Sequence, residues 1–304
     1  MKVVVTGGNS AVGRAILRCA PKLPLPGPPA NFIAAVRSER AAEEVRSQIG
    51  DANGVVRISY NEPGSLDAAF QGASAIIHLP GILFERPDST YEQANVEATR
   101  SVIEAARRTG VRKIVLVSAT GADERSSNRY YRTKGQAEAL VRSSRLAYTL
   151  LRAPLLLGPG TAGAAALKRN VKSKRAKLIG GGRNLQQPLY VDDLARGAIL
   201  AATQESVARN LTLEVAGPVS LPERELVERA ARLLGREVSI GSIPKNLLSL
   251  ALAVRQLIGK PGFTRDVLEV VTADTRLDPQ PAASEIGIQL TGIDEMIQAS
   301  LSEG

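Results

Sequence analysis

Tryptophan is absent from the 304 residues, and there are only four Phe and six Tyr. With aromatics at 3%, the core has to be built mostly from Val, Leu, Ile and Ala, which suits a parallel sheet covered by helices on both faces. Cys19 is the only cysteine. That excludes a disulfide framework and a thiolate zinc site, and makes a reducing compartment the expectation. No run of about 18 apolar residues occurs, so no helix is expected to span a membrane. Met1 leads directly into Lys2-Val3-Val4-Val5 with no leader pattern ahead of it, so a secretory signal is not expected and a cytoplasmic location is. His78, the only histidine, falls at the end of a buried strand and reads as structural; no metal site is expected.

Acidic residues are outnumbered, 30 against 39 Lys and Arg, giving a formal charge of +9. Such a charge attracts nucleic acid, acidic lipid or a phosphate-bearing ligand. The arginines are scattered along the helices instead of massed in a tail, so nucleic-acid binding is not expected as the main role. The densest run, Lys168-Arg169-x-x-Lys172-x-Lys174-Arg175-x-Lys177, reads as a solvated helical face. A phosphate-bearing substrate or peripheral contact with an acidic membrane surface is the alternative reading.

Strand-like and helical segments alternate through the first two-thirds of the chain. Strands are expected at Val3–Thr6, Phe32–Val36, Val55–Ser59, Ala75–Leu79, Lys113–Ser118 and Tyr148–Arg152. Helices are expected at Ala11–Cys19, Ala41–Ile49, Leu66–Phe70, Tyr91–Arg108 and Tyr130–Ser143, and a Pro-rich loop at Pro21–Pro29. This alternation predicts an α/β fold, a Rossmann-type doubly wound parallel sheet with right-handed crossovers. The pattern changes at Gly158-Pro159-Gly160. Leu211–Val215 then looks like a strand returning to the sheet, and Glu223–Leu234 an amphipathic helix. The expected division is a dinucleotide domain over 1–160, rejoined by about 190–218, with 161–189 and 219–304 forming a smaller, mostly helical substrate lobe. Asn246–Ile258 is apolar, too short to cross a bilayer, and reads as a substrate lid or subunit interface.

The segment Val5-Thr6-Gly7-Gly8-Asn9-Ser10-Ala11-Val12-Gly13 lies between the first strand and the first helix. Glycines there let the backbone approach a pyrophosphate, whose charge is held by free N–H groups at the helix N-terminus. Gly7, Gly8, Asn9, Ser10, Ala11 and Val12 are therefore expected to line the phosphates, and Gly13 to allow close helix–sheet packing. Ser10 stands where the pattern has a glycine, and its hydroxyl is suited to a phosphate oxygen. At the end of the second strand an NAD site usually carries an acidic residue; here stands Arg37, with Arg40 close by and Arg14 opening the first helix. A guanidinium favours a 2′-phosphate, so NADP(H) is the preferred cofactor and NAD(H) the alternative. Tyr130 and Lys134 are four apart and share a helix face. An adjacent ammonium is expected to lower the tyrosine pKa from about 10, so that the phenol can exchange a proton with substrate while nicotinamide carries hydride. Tyr131 competes for the role but breaks the spacing.

Taken in order, Thr6-Gly7-Gly8, His78-Leu79-Pro80-Gly81, Tyr91-Glu92-Gln93-Ala94-Asn95-Val96, Tyr130-x-x-x-Lys134, Leu151-Arg152-Ala153-Pro154 and Tyr190-Val191-Asp192-Asp193 resemble an extended or atypical short-chain dehydrogenase/reductase. The nearest look is to the NmrA-like group and the nucleotide-binding accessory subunit of respiratory complex I. The resemblance implies that Tyr60, Leu79 and Pro80 join the dinucleotide site. It also implies that a hydroxyl after the fifth strand orients the substrate, Thr120 as first choice and Ser118 as second. Asp192-Asp193 is expected to cap a helix. The function implied is an NADPH-dependent oxidoreductase acting on an unidentified small molecule, with a nucleotide-sugar epimerase or dehydratase, or a non-catalytic NADP(H)-binding sensor or assembly protein, as alternatives.

Overall fold

The computed structural model describes residues 1–25, 29–49, 54–204, 207, 209–257 and 262–302. Its first half alternates as expected: β1 (Lys2–Thr6), α1 (Ala11–Cys19), β2 (Asn31–Val36), α2 (Glu39–Ile49), β3 (Val55–Arg57), α3 (Pro63–Phe70), β4 (Ala75–His78), a π-helical turn Glu92–Glu97 running into α4 (Ala98–Arg108), β5 (Lys113–Ala119), α5 (Arg129–Arg142) and β6 (Ala147–Ala153). There follow β7 (Leu156–Leu157), α6 (Ala162–Lys172), β8 (Arg175–Ile179), β9 (Leu185–Gln186), β10 (Leu189–Tyr190), α7 (Val191–Thr203) and β11 (Leu211–Glu214). The chain continues through β12 (Leu221–Pro222), α8 (Glu223–Leu233), β13 (Ser239–Ile243), α9 (Lys245–Leu257), α10 (Arg265–Thr272), α11 (Gln280–Ile286) and α12 (Ile293–Leu301).

Seven strands form one sheet in the order β11-β6-β5-β4-β1-β2-β3, all parallel. The two-residue repeat of a strand sends neighbouring side chains to opposite faces. Val3 and Val5 accordingly pack with Ile16, Leu17 and Ile199 beneath α1 and α7, while Val4 packs with Leu66, Val102 and Ile114 beneath α3 and α4. Because both faces are covered, β1 is an unbroken valine run. Each fully buried Val, Ile or Leu contributes about 1.5–3 kcal/mol. β1 pairs with β2 on one side and β4 on the other. The connections leaving β1 and β4 therefore diverge, opening a crevice at their carboxyl ends, where ligands of such sheets bind.

A third apolar cluster lies apart from the sheet, with Leu167 of α6, Leu226 of α8 and Met296 of α12 at its heart. β8 and β13 pair beside it as a parallel ribbon.

Several boundaries differ from expectation for local reasons. The third strand ends at Arg57, and Ser65 Oγ caps the following turn by accepting from Ser59 N at 2.8 Å. The basic run is not one helical face. α6 stops at Lys172, and Arg175–Ile179 is a strand in which Ala176 and Leu178 are buried while Arg175 and Lys177 face outward, a spacing of two instead of 3.6. Of the Pro-rich loop, Ala20–Lys22 forms a 3-10 turn. Residues 26–28 lie outside the described residues, as does Ile258.

Candidate functional site

The turn after β1 has the shape a phosphate cradle requires. Gly7 adopts φ +72°, and a Cβ there would lie 2.9 Å from the Leu79 carbonyl oxygen across the crevice. A Cβ on Gly8 would meet the Ala34 Cβ at 2.8 Å, and one on Gly13 would strike the Gly7 and Gly8 carbonyl oxygens at 2.6 Å. Only glycine lets β1, β2 and α1 approach so closely. Ser10 is the N-cap of α1: its Oγ accepts from Gly13 N at 3.0 Å. The oxygen thus accepts inside the protein, and its O–H remains to donate, the direction a phosphate oxygen requires. Ala11 and Val12 open α1 and have no acceptor in their own helix, so their N–H groups fit an anion. Arg14 extends toward Gly160, where a Cβ would come within 2.7 Å of Nη2. Asn9 completes the turn ahead of the cap.

Arg37, just beyond β2, is exposed and pairs with no carboxylate among the described residues. Tyr60 follows β3 and meets the His78 ring edge-on, with centroids 6.3 Å apart. Burial pushes the Tyr60 phenol up, opposed by contact with the Thr6 hydroxyl and by the Arg37 charge. Arg37 and Tyr60 therefore face the same corner of the crevice.

His78 is a fully buried strut between β1 and α4. Its Nδ1 lies 2.6 Å from Thr6 Oγ1 and its Nε2 3.1 Å from Thr99 Oγ1. Thr99 Oγ1 gives its proton to the Asn95 carbonyl oxygen at 2.5 Å, so it accepts from His78 Nε2–H. Nδ1 is then the acceptor for the Thr6 hydroxyl. Burial, with the Lys134 charge adding to it, pushes the imidazole down to about 3, and the ring is neutral at ordinary pH.

The catalytic candidates stand on α5, whose N-cap Asn128 accepts from Tyr130 N and Tyr131 N through Oδ1. Its Nδ2 donates to Asp266 O and Glu269 Oε2, tying α5 to α10. Tyr130 stacks edge-on between Tyr91 and Tyr131, at 5.7 and 5.6 Å. Lys134 is buried and donates to the Pro80 carbonyl oxygen at 2.7 Å. Burial lowers its ammonium to about 8, partly offset by Glu138. The expected depression of the Tyr130 phenol is not found. Burial comes first, then the neighbouring Tyr131 and Tyr91, and together they push it upward. The physical reason is placement: the lysine charge is aimed at Pro80 while the phenol sits among aromatic rings.

Ser118 Oγ and Thr120 Oγ1, at and just past the end of β5, are both buried without a hydrogen-bond partner. The neighbouring Gly121 abuts the Tyr131 ring, 3.1 Å from where its Cβ would stand. This contact brings the turn just after Thr120 against Tyr131 of α5.

Three contributors were not recognised in the sequence. Asn95, in the π-helical turn, donates through Nδ2 to Thr133 Oγ1 at 3.0 Å, and its Oδ1 is buried without a partner. A Cβ on Gly81 would lie 2.8 Å from both Asn95 Oδ1 and Lys134 Nζ, so the two polar tips converge there. π-Turns often mark functional sites, but the break in helical register is invisible in the motif around Tyr91. Glu138, fully buried, receives two hydrogen bonds from Arg152 and one from Arg142; this network fastens α5 to β6. A polar cavity of about 520 Å³ opens over it. Asn128 is the third, its capping role hidden by the loop before it.

The glycine turn, the crevice at β1 and β4 and the strand order all describe a dinucleotide site, and residues 7–179 match the family model described as NAD(P)H-binding. The chain belongs to that family. As a member of the NAD(P)H-binding family it is 28% identical over 184 residues to the mitochondrial NADH dehydrogenase [ubiquinone] 1 alpha subcomplex subunit 9 of Arabidopsis thaliana, over 59% of this chain and 46% of that protein. It is 27% identical to the 4-hydroxy-2-methyl-3-oxo-4-farnesyl-3,4-dihydroquinoline-1-oxide ketoreductase of Stigmatella aurantiaca, over 80% of this chain and 76% of that one. The chain spans about half the length of several curated relatives. The fold matches the Citrobacter sp. triphenylmethane reductase complexed with NADP(H), with a TM-score of 0.75 at 21% identity over 98% of this chain and 100% of the other. Among the described residues no helix is long and apolar enough to cross a membrane.

Proposed function

We propose that this protein is an NADPH-dependent reductase acting on the carbonyl group of a ketone-type substrate. The observation that carries the reading is the pair of buried hydroxyls at the end of β5, Ser118 and Thr120, which have no partner among the described residues and lead into Gly121 against Tyr131 of α5. Such groups are rare in folded proteins unless a ligand or water completes them. When bound, NADPH supplies the hydride that reduces the carbonyl carbon. Tyr130 gives its proton to the carbonyl oxygen, yielding the alcohol; a phenol pushed up by burial holds that proton at neutral pH, which suits reduction more than alcohol oxidation. Thr120, or Ser118 in its place, orients the oxygen. Lys134 and Asn95 serve the nicotinamide ribose side, Gly7 to Val12 the pyrophosphate, Leu79 and Pro80 the wall between them, and Tyr60 and Arg37 the adenosine end. The guanidinium of Arg37, exposed and without a carboxylate partner among the described residues, favours NADPH over NADH. Residues 161–189 and 219–304 supply the substrate lobe.

A second reading, a non-catalytic NADP(H)-binding subunit, is favoured by one observation: Lys134 is committed to the Pro80 carbonyl and does not activate Tyr130. Turnover decides between the two. A ketone and quinone screen with NADPH is expected to reveal a reduction, and Tyr130→Phe should lower its kcat by about two orders of magnitude while leaving NADPH affinity within twofold. Tight NADPH binding with no reduction of any carbonyl would leave the second reading standing.

A further inference from the structure

The basic run and the apolar helix α9, separate in sequence, are joined through one parallel ribbon. The chain has no acidic residue between Glu138 and Asp192, and none between Glu237 and Asp266. Strands from these two acid-free segments pair with each other: β8 runs parallel to β13 in the register Arg175↔Ser239, Lys177↔Gly241 and Ile179↔Ile243. Arg175 and Lys177 point outward from β8, and Lys172 and Lys174 are exposed just before it. None of these four pairs with a carboxylate among the described residues. Pro244 then turns β13 into α9, which opens with exposed Lys245.

On α9, Leu247 and Leu250 are three residues apart, on one side of the helix, and each is 65% exposed. Leu252, by contrast, is buried and anchors the helix. Phe84, 42% exposed, has its ring 6.4 Å from that of Phe263 ahead of α10. α10 is in turn bound to the start of α5 through Asn128.

We propose that this ribbon and α9 dock onto an anionic lipid bilayer, with Leu247 and Leu250 entering the headgroup–acyl boundary and Lys172, Lys174, Arg175, Lys177 and Lys245 meeting the lipid phosphates. Charge complementarity selects the occupant. Exposed cations that carry no salt bridge among the described residues attract an anionic surface, and exposed leucines on the helix that continues their ribbon gain free energy only where that surface has an apolar layer beneath. Nucleic acid would satisfy the cations but leave the leucines in water. An amphipathic helix of this length lies in the interface and does not cross the bilayer.

The test uses the full chain in co-sedimentation with vesicles of phosphatidylcholine alone or mixed with phosphatidylglycerol, and NADPH affinity is measured in the same samples. Binding is expected to the anionic vesicles and not to the neutral ones, weakening as salt is raised. Lys174→Glu/Lys177→Glu and Leu247→Glu/Leu250→Glu should each reduce it roughly tenfold or more, with unchanged thermal unfolding and NADPH affinity. If the leucine pair disturbs folding, the lysine pair and the salt dependence decide. Failure of the unmodified, NADPH-binding protein to sediment with anionic vesicles overturns the proposal and leaves the reductase reading untouched. Vesicle binding that survives the lysine pair, or binding to duplex DNA as tight as to vesicles and indifferent to the leucine pair, overturns it as well.

Discussion

The Lys134 ammonium lies 2.7 Å from the Pro80 carbonyl oxygen, so the lysine of the Tyr130/Lys134 pair is held by the loop after β4 and not by the phenol four residues before it. Burial has lowered it to about 8. Its charge is therefore lost within the range where enzymes are assayed, and the neutral amine is a poorer donor to ribose hydroxyls. NADPH affinity is expected to fall as pH rises through about 8, and Lys134→Met to bind weakly with a flat profile between pH 7 and 9. The sign for stability is opposite. A base whose folded pKa lies below its unfolded value favours unfolding while only the unfolded chain is protonated, so this group's contribution improves from pH 8 toward 10.5. Titration calorimetry and urea unfolding across that range separate the two effects; affinity rising with pH would count against the assigned role.

Arg37 is exposed and pairs with no carboxylate among the described residues, which suits the proposed contact with a 2′-phosphate. Arg37→Asp should weaken NADPH by about 1.5 kcal/mol, the low end for charge-assisted bonds because the site is exposed, or roughly tenfold in Kd. NADH affinity should hold or improve. Equal affinities for both cofactors in the unmodified protein would remove Arg37 from cofactor selection.

His78 must gain a proton in a dry site when acid is added. Its folded pKa of about 3 lies below the 6.5 of a free imidazole, so between those values the unfolded state binds the extra proton. Stability then falls by about 1.4 kcal/mol per pH unit. His78→Gln should be less stable at pH 7 through loss of the Thr6 and Thr99 contacts, yet lose stability more slowly from pH 6 to 4. Parallel slopes for the two proteins in urea melts would show that the imidazole is not the titrating group.

Arg152 supplies two of the hydrogen bonds that neutralise the fully buried Glu138. Arg152→Leu should cost about 3 kcal/mol, the lower end for a broken buried pair because Arg142 keeps its bond. Adding Glu138→Gln should recover part of that loss. A single and a double variant of equal stability would argue that the pair holds α5 by shape alone.

The Rossmann framework was legible because its signals are local. A valine run buried on both faces, a glycine turn ending in a capped helix and the regular alternation to Arg152 each follow from steric and hydrophobic preferences within a few residues. The positions of the glycine turn and of the Tyr130/Lys134 pair were legible for the same reason. The local environments were not. The sequence reading of Ser10 did not include its second task, capping α1 through the same oxygen. The spacing of Tyr130 and Lys134 suggested mutual tuning, whereas the fold brings Pro80 to the lysine and Tyr91 and Tyr131 to the phenol. Asn95 escaped notice because a π-turn shifts the helical register that sequence periodicity assumes. Composition, charge and spacing determined that this chain folds as a parallel α/β sheet with a dinucleotide turn at its first strand. Burial and hydrogen-bond partners come from residues far apart in the chain, so only the tertiary structure decided which protons the site can hold, and at which pH.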